Sequence, residues 1–260
     1  MTINRSTLML LAGAVLMIAA VFLALQIASR VSSTDDVPAT ATSKADIERI
    51  VKNYLLEHPE IIFEAVERFQ QKETDGRVAG MREGAKKFEA ELNYEPDAIV
   101  AGNPKGDVTI VEFFDYRCGY CRKIVKDITT LLKQDGNIRL VLKEFPILSA
   151  ESDLAARAAV ASVAQGKYWD FHLALMEAEE LSQESIFAIA KNTGIDVERL
   201  KVAMQSPGVI KTISNTQALA KKLGIDATPT FFIGGQPFSG ALPLESLKEA
   251  VAAARKAKQS

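Results

Sequence analysis

The hydrophobic pattern begins with an unbroken apolar run from Leu8 to Leu25, 18 residues long. This run exceeds the core of an ordinary signal peptide and just reaches the about 20 residues that span a bilayer. We predict that residues 1–30 are a membrane anchor, with a long signal peptide as the alternative. Arg5 favours a cytoplasmic N-terminus, which would put the remainder across the membrane. Residues 31–43 are small, polar and without period, which predicts a tether.

Residues 44–93 carry apolar positions at helical spacing. The first such face comprises Ile47, Ile50, Val51, Tyr54 and Leu55. His58-Pro59 interrupts it, because the residue before a proline avoids the α conformation, so two short helices are expected. After Asp75-Gly76 a second face, with the three-four spacing of a coiled coil, comprises Val78, Met81, Ala85, Phe88 and Leu92. These helices either pack on their own domain or join subunits, and we favour a homo-oligomer formed through residues 44–93.

The rest of the chain alternates strand and helix patterns. Val108 to Phe114 is apolar on both faces apart from Glu112, as in a strand covered by helices on both sides. The predicted order is a linker at 94–107, a strand at 108–114, a helix to about Lys133, a strand at 137–145, a helical block at about 152–224, a strand at 230–233 with a turn at Gly234-Gly235, and a helix from Pro243 to about Lys256. Residues 108–260 therefore predict an α/β domain whose sheet is interrupted by a helical insert.

The composition excludes one class of partner. Lys and Arg number 31 against 33 Asp and Glu, and no basic stripe interleaves with aromatic residues, which argues against nucleic-acid binding. An apolar fraction of 48% is ordinary for a globular chain with a full core.

The chain has two cysteines, Cys118 and Cys121, at a junction between strand and helix. A bridge between residues so close closes too small a loop to constrain an unfolded chain, so the pair predicts redox chemistry rather than a structural disulfide. At the start of a helix, unpaired N–H groups favour a thiolate on Cys118, and Arg117, Arg122 and Lys123 are expected to add positive charge. A zinc site needs a second ligand pair, and none has suitable spacing, so no metal is predicted.

Three segments resemble a known family. They are Val-Glu-Phe-Phe-Asp-Tyr-Arg-Cys-Gly-Tyr-Cys at 111–121, Tyr-Leu-Leu-Glu-His-Pro-Glu at 54–60, and Thr228-Pro229 before the third strand. With the helical insert, they resemble the DsbA-like branch of the thioredoxin superfamily, in particular the subgroup that contains the suppressor-of-copper-sensitivity protein ScsC and related disulfide isomerases. The resemblance covers about residues 44–257. It implies a thioredoxin-like fold with an inserted helical subdomain, and a protein disulfide oxidoreductase that needs no organic cofactor.

The resemblance, with the helix position, assigns roles to the cysteine segment. Cys118 is expected to be the nucleophile and Cys121 the residue that displaces a captured substrate. Gly119 and Tyr120 between them are expected to tune the redox preference, and they differ from the Pro-His of DsbA itself. Without an imidazole donor the thiolate should be less stabilised, so we favour an isomerase or reductase over a dedicated oxidase.

Two further positions are expected to serve the pair. Glu112 shares a strand face with apolar residues, which predicts a buried carboxyl near the resolving sulfur that exchanges a proton with Cys121; a water-exposed edge position is the alternative. Thr228 and Pro229 resemble the cis-proline loop of the superfamily, which implies backbone pairing with an extended substrate segment.

Three other polar residues are expected to have no catalytic role. Glu144 is predicted to be a surface acid at a strand end, and His58 and His172 are predicted to be structural.

The expected partners follow from the predicted side of the membrane. Substrates would be exported proteins with disulfides in the periplasm, and a membrane partner that resembles either the reductant DsbD or the oxidant DsbB would regenerate the pair. The alternative function is Cu(I) binding by the two thiolates of Cys118 and Cys121.

Overall fold

The computed structural model describes residues 43–95 and 97–259. The chain divides into two compact units, one that ends at Glu67 and one that begins at Arg68. The predicted membrane segment at 1–30, and the predicted tether apart from Ser43, lie outside the described residues. Among the helices of residues 43–95 and 97–259, none combines the length and the apolar composition that a bilayer span requires.

The elements follow the predicted alternation of strands and helices. The helices are α1 (Lys44–Glu57), α2 (Glu60–Lys87), α3 (Glu89–Asn93), α4 (Gly119–Asp135), α5 (Ala150–Ser162), α6 (Tyr168–Glu177), α7 (Gln183–Asn192), α8 (Val197–Ala203), α9 (Pro207–Leu223) and α10 (Leu244–Gln259), with a short 3₁₀ helix at Val163–Gln165. The strands are β1 (Ile99–Gly102), β2 (Val108–Phe114), β3 (Ile138–Glu144), β4 (Thr230–Ile233) and β5 (Gln236–Ser239).

The N-terminal helices begin as predicted but end differently. The hydroxyl of Ser43 caps α1 by accepting from the backbone N–H of Asp46 at 3.1 Å, and α1 ends before Pro59. Helix α2 then runs for 28 residues through Asp75-Gly76 without a break. The prediction of two short helices was therefore wrong for the second one. Each of its three interior glycines, Gly76, Gly80 and Gly84, costs the helix only about 1 kcal/mol, and burial of Met81 and Ala85 in the core offsets this cost.

The five strands form one sheet in the order β1-β3-β2-β4-β5. Strands β2 and β3 are parallel, and the other neighbouring pairs are antiparallel. Strand β1 was missed, because residues 94–107 were predicted to be a linker. Four residues are too few to show a period, and this strand forms because it pairs with β3, Ile99 opposite Leu142.

Helices cover both faces of the sheet, as the apolar pattern of β2 predicts. One face packs on α4, α10 and the helical insert, and contributes Ile110, Phe114, Leu140 and Leu142 to that core. The other face packs on α2, α3 and α9, and contributes Val111, Phe113, Val141 and Phe232. Burial on both faces fixes which side chains of β2 and β3 point toward α4.

The coiled-coil spacing after Gly76 has a partner within the chain. Met81 and Ala85 of α2 and Leu92 of α3 are buried in the core beneath β2 and β4. Residues 81–92 therefore pack on their own domain, which was one of the two interpretations of this stretch. The oligomerisation proposal is thereby restricted to the helical residues before this packed segment.

Candidate active site

Cys118 is the N-cap residue of α4. Its backbone is extended, with φ −73° and ψ 112°, and its sulfur accepts a hydrogen bond from the backbone N–H of Cys121 at 3.4 Å. Both cysteines are thiols in the structure. An N-cap side chain faces the unpaired N–H groups of the first helical turn, so the predicted position of Cys118 at the helix start is confirmed.

Hydrogen bonds lower the pKa of Cys118 to about 5, against the opposing effect of burial. The largest cause is the hydrogen bond with the Cys121 side chain, and the opposing effect of burial is the second largest. Smaller decreases come from a hydrogen bond with the Thr228 side chain and from the backbone N–H groups of Cys121 and Tyr120. Cys118 is therefore a thiolate at neutral pH, the form that attacks a disulfide.

The predicted positive charges are not among these causes. The Arg122 guanidinium instead donates to the carbonyl oxygen of Met176 at 3.0 Å and to that of Ala178, at the C-terminal end of α6. The expectation that Arg122 stabilises the thiolate is thus corrected. The arginine ties the first turn of α4 to the helical insert, because the last carbonyl groups of a helix lack partners within it.

Cys121 lies one turn into α4 and is fully buried. Burial, and then the hydrogen bond with Cys118, raise the pKa of its thiol well above the ordinary range. One sulfur of the pair is therefore ionised and slightly exposed, at 6%, while the other is protonated and fully enclosed. This difference is what the assignment of attacking and resolving sulfurs requires.

The loop before β4 faces the nucleophile. The Cys118 sulfur lies 3.2 Å from the carbonyl oxygen of Thr228, although the two residues are 110 positions apart. The peptide bond between Thr228 and Pro229 is cis, as the family resemblance implied. The structure thus brings the predicted loop against the predicted cysteine.

Glu112 is buried in the centre of the sheet. It lies on β2 between β3 and β4, and only 3% of its surface is exposed, so the alternative of a water-exposed position is excluded. Burial, and then the charge of Cys118, raise the pKa of Glu112 to about 8. Its charge in turn adds to the rise in the pKa of Cys121, after burial and the hydrogen bond with Cys118.

Glu144 was predicted to be a surface acid and is instead 1% exposed. Tyr116 and Tyr168 both donate to its Oε1 oxygen, at 2.9 and 2.7 Å. The hydroxyl of Tyr116 also lies 3.0 Å from Nδ1 of His172. The sequence did indicate that Glu144 is buried, because Leu140, Leu142 and Glu144 are alternate residues of β3 and therefore point to one face of the sheet.

Asp115 was not singled out in the sequence, but it organises the loop before the nucleophile. Its Oδ1 accepts from the backbone N–H of Arg117 and from the Ser152 hydroxyl, each at 2.7 Å. Its Oδ2 accepts from the backbone N–H groups of Ile147 and Leu148, at 2.8 and 3.0 Å. One buried carboxylate thus joins the active-site loop to the segment after β3.

The residues between the cysteines are open to solvent. Tyr120 is 67% exposed, and a side chain added at Gly119 would meet no neighbouring atom. His172 packs among aromatic rings, including that of Trp169, while His58 lies near Glu60 at the start of α2. In the part of the chain that the structure describes, no group of three or more His, Cys, Asp or Glu side chains is placed to hold a metal ion.

Two family models match the chain. The model described as Thioredoxin matches residues 94–253, and the model described as Copper resistance protein ScsC N-terminal domain matches residues 44–75. The first covers more than half of the chain, including the whole site described above. The second covers α1 and the first half of α2.

Solved structures agree with the first model. A thioredoxin-like oxidoreductase from Silicibacter pomeroyi is 44% identical, with a TM-score of 0.63, over 64% of this chain and 97% of that one. The thiol-disulfide exchange protein alpha-DsbA2 from Wolbachia pipientis is 32% identical, with a TM-score of 0.64, over 68% of this chain and 97% of that one.

Among curated proteins, the Na(+)/H(+) antiporter NhaA of Herminiimonas arsenicoxydans is 30% identical over 189 residues, or 69% of this chain. The chain spans about 30% of the length of that relative.

The matched region, the position of the cysteine pair and the cis-proline loop agree with one another. The chain therefore belongs to the thioredoxin family, and its residues 44–75 are similar to the N-terminal domain of the copper resistance protein ScsC.

Proposed function

We propose that this chain is a thiol:disulfide oxidoreductase of the periplasm that isomerises or reduces disulfides in exported proteins through Cys118 and Cys121. The observation that supports this most strongly is the setting of Cys118: hydrogen bonds lower its pKa to about 5, and its thiol, when protonated, donates to the Thr228 carbonyl oxygen at 3.2 Å. A reactive thiolate beside the partly exposed residue Thr228 suits an extended polypeptide substrate, which can pair with the backbone of that loop.

The first step is attack of the Cys118 thiolate on a substrate disulfide. A bond forms between Cys118 and one substrate sulfur, the substrate disulfide breaks, and the second substrate sulfur leaves as a thiolate. Thr228 and Pro229 would hold the substrate backbone during this exchange. The loop needs no sequence-specific pocket, because pairing through main-chain hydrogen bonds is tolerant of side chains.

The second step requires Cys121 to lose its proton, and Glu112 is the proposed acceptor. While Cys118 is a thiolate, its charge helps to raise the pKa of Glu112. Formation of the mixed disulfide removes that charge, so the pKa of Glu112 falls at the stage where a base is needed. Cys121 then attacks Cys118, a disulfide forms between them, and the substrate sulfur leaves with the two electrons.

The redox direction is proposed from the residues between the cysteines. The strongest oxidants of this superfamily hold the equivalent thiol near a pKa of about 3.5, and thioredoxin near about 7. A pKa of about 5 lies between them and does not by itself choose a direction. A less stabilised thiolate makes the disulfide form less oxidising, which favours an isomerase or reductase over a dedicated oxidase. Gly119 and Tyr120 supply no imidazole to stabilise it further.

We also propose that the N-terminal helices form a homo-oligomer. No residue of α1 is buried. The large apolar side chains that are about half exposed or more in α1 and the start of α2 are Ile47, Ile50, Val51, Tyr54, Leu56, Ile62, Phe63 and Val66. A soluble chain rarely leaves so many apolar side chains uncovered, and a second copy of the same helices would bury them.

Light scattering of the full chain tests the oligomer. Ile50→Glu and Phe63→Glu place a charge on the apolar positions and should give monomers, whereas Asn53→Glu on the exposed polar side of α1 should leave the oligomer intact. An unchanged mass in both apolar variants would refute the assembly through these helices.

The location and partners remain those that the sequence suggests. The apolar segment within residues 1–30 would deliver the body to the periplasm, as an anchor or as a signal peptide. A DsbD-like reductant would regenerate an isomerase, and a DsbB-like oxidant would regenerate an oxidase. Mixed disulfides trapped by Cys121→Ser would identify exported substrates and the membrane partner together.

The alternative function is Cu(I) binding, which the match to a copper resistance family favours. It requires both sulfurs as thiolates, while burial above all raises the pKa of Cys121. We therefore rank it second. Copper titration of the reduced protein separates the two: tight stoichiometric binding without disulfide exchange would support the copper function.

Refolding of a substrate with scrambled disulfides, alongside insulin reduction, tests the main proposal. Wild type should be active in both assays, Cys118→Ser in neither, and the surface variant Glu184→Gln on α7 should keep activity because that side chain is exposed and lies outside the site. Activity of the Cys118→Ser variant equal to that of wild type would refute the proposal.

A further inference from the structure

A second buried carboxyl lies beside the proposed proton acceptor. In the parallel pairing of β2 and β3, Glu112 stands opposite Leu142, and Phe114 stands opposite Glu144. Neighbouring residues of a parallel pair point to the same side, so the two carboxyls lie diagonally on one sheet face. This face belongs to the core that also contains both cysteines.

Hydrogen bonds connect Glu144 to the active-site loop. Tyr116, two residues before Cys118, donates its only proton to Glu144 Oε1. His172 Nδ1 therefore donates to the Tyr116 oxygen, 3.0 Å away. Burial lowers the pKa of His172 to about 3, so the ring stays neutral and adds no charge. Tyr168 donates to the same carboxyl oxygen from α6.

Several ionisable groups from the surrounding elements act on the two carboxyls. Those that act on Glu144 are Tyr116, Tyr168, Asp115 and Glu112. Those that act on Glu112 or respond to its charge are Cys118, Cys121, Glu144 and Tyr168.

Burial and these groups together bring the pKa values of the two carboxyls to the same range. Burial above all raises the pKa of Glu144 to about 8, the range found for Glu112. The charge of Glu112 contributes to that rise, and Coulomb repulsion is mutual, so the two carboxyls titrate as a coupled pair.

We propose that Glu144 is a positioning residue for proton transfer, which competes with Glu112 for ionisation and thereby sets the pH at which Glu112 accepts the proton of Cys121. The inference rests on the proposed role of Glu112. The tyrosine donors favour the charge on Glu144, and a charge there disfavours a second one on Glu112. The network would thus hold the proton acceptor neutral until the pH is high enough, or until the thiolate of Cys118 is consumed.

The transfer balances without a further reactant. In the mixed disulfide, the Cys121 thiol gives its proton to the Glu112 carboxylate, and its sulfur attacks Cys118. The new disulfide forms as the substrate thiolate leaves. Glu144 takes no part in the bond exchange. Its hydrogen bonds with Tyr116 and Tyr168 affect only which of the two carboxyls is ionised.

A chromogenic disulfide measures this step directly. Reduced full-length protein mixed with excess dithionitrobenzoate releases one thionitrobenzoate when Cys118 attacks and a second when Cys121 displaces the first adduct. The rate of the second release, followed over pH, gives the midpoint for the proton acceptor. Glu144→Gln should move this midpoint to lower pH by on the order of one unit, which raises the rate one unit below the wild-type midpoint about fivefold.

Two further variants keep the inference falsifiable. Tyr168→Phe removes a donor that lowers the pKa of Glu144, so it should shift the midpoint in the same direction by less, and it serves if Glu144→Gln does not fold. Glu112→Gln should abolish the midpoint. If Glu112→Gln retains the wild-type midpoint, the proposed role of Glu112 fails. If only Glu112→Gln acts, while Glu144→Gln and Tyr168→Phe change amplitudes or rates without moving the midpoint, the inference about Glu144 is wrong and its network is structural.

Discussion

The largest single contribution to the reactivity of Cys118 is predicted to be the hydrogen bond from its partner cysteine. In the structure this bond is the leading cause of a Cys118 pKa of about 5, ahead of Thr228 and the helix N–H groups. Cys121→Ala removes the donor and leaves the helix N-terminus in place. Cys121→Ser keeps a hydroxyl donor at the same position and is the matched control.

The expected magnitude follows from the value of a hydrogen bond to a charged group, about 1.5–3 kcal/mol. Since one pKa unit corresponds to about 1.4 kcal/mol, Cys121→Ala should raise the pKa of Cys118 by about one to two units. At pH 6 the thiolate fraction would then fall from about 90% to between about 50% and 10%. Cys121→Ser should show a smaller rise.

The ultraviolet absorbance of the thiolate, recorded across the acid and neutral range, measures this pKa. In both variants Cys118 is the sole cysteine, so the titration has one component. The rate of alkylation by iodoacetamide over the same range is an independent check. A pKa in Cys121→Ala equal to that of wild type would show that the backbone N–H groups and Thr228 suffice, and would refute the reasoning about the partner thiol.

Three further outcomes are expected from the residues around the pair. Arg122→Ala should lower the melting temperature, because two carbonyl groups at the end of α6 lose their donor, while thiolate absorbance should show the pKa of Cys118 nearly unchanged. Asp115→Ala should destabilise the fold by about 3 kcal/mol in urea unfolding, since four buried or partly buried donors lose their acceptor. Glu144 has a folded pKa of about 8, above its unfolded value of 4.5, so its contribution to stability is complete below the unfolded value and is lost as pH rises through the folded one. Glu144→Gln should therefore flatten the fall in the free energy of unfolding between mildly acidic and mildly alkaline pH, and an unchanged slope would contradict the buried acid.

The residues of the site differ in how far local sequence could predict them. Cys118, Cys121 and the burial of Glu112 follow from patterns within a few positions, because a C-x-x-C at a strand-to-helix junction and an apolar strand are local features. The placement of Glu144 next to Glu112 required the register of β3 against β2, and its predicted surface position was the wrong inference from the end of a strand. Helix α2 continues past Gly76 for a related reason, since burial of Met81 and Ala85 in the core offsets the cost of its three interior glycines.

By itself the sequence determined the order of strands and helices, the nature of the redox pair and the family to which the chain belongs, because hydrophobic period and the cysteine spacing are properties of neighbouring residues. Only the tertiary structure decided what surrounds the sulfur of Cys118. It brings Thr228 against that sulfur from 110 residues away, turns Arg122 toward the helical insert, and encloses Glu112 and Glu144 on one face. The physical reason is that pKa values depend on desolvation and on contacts distant in sequence, and neither exists until the sheet and its helices have packed.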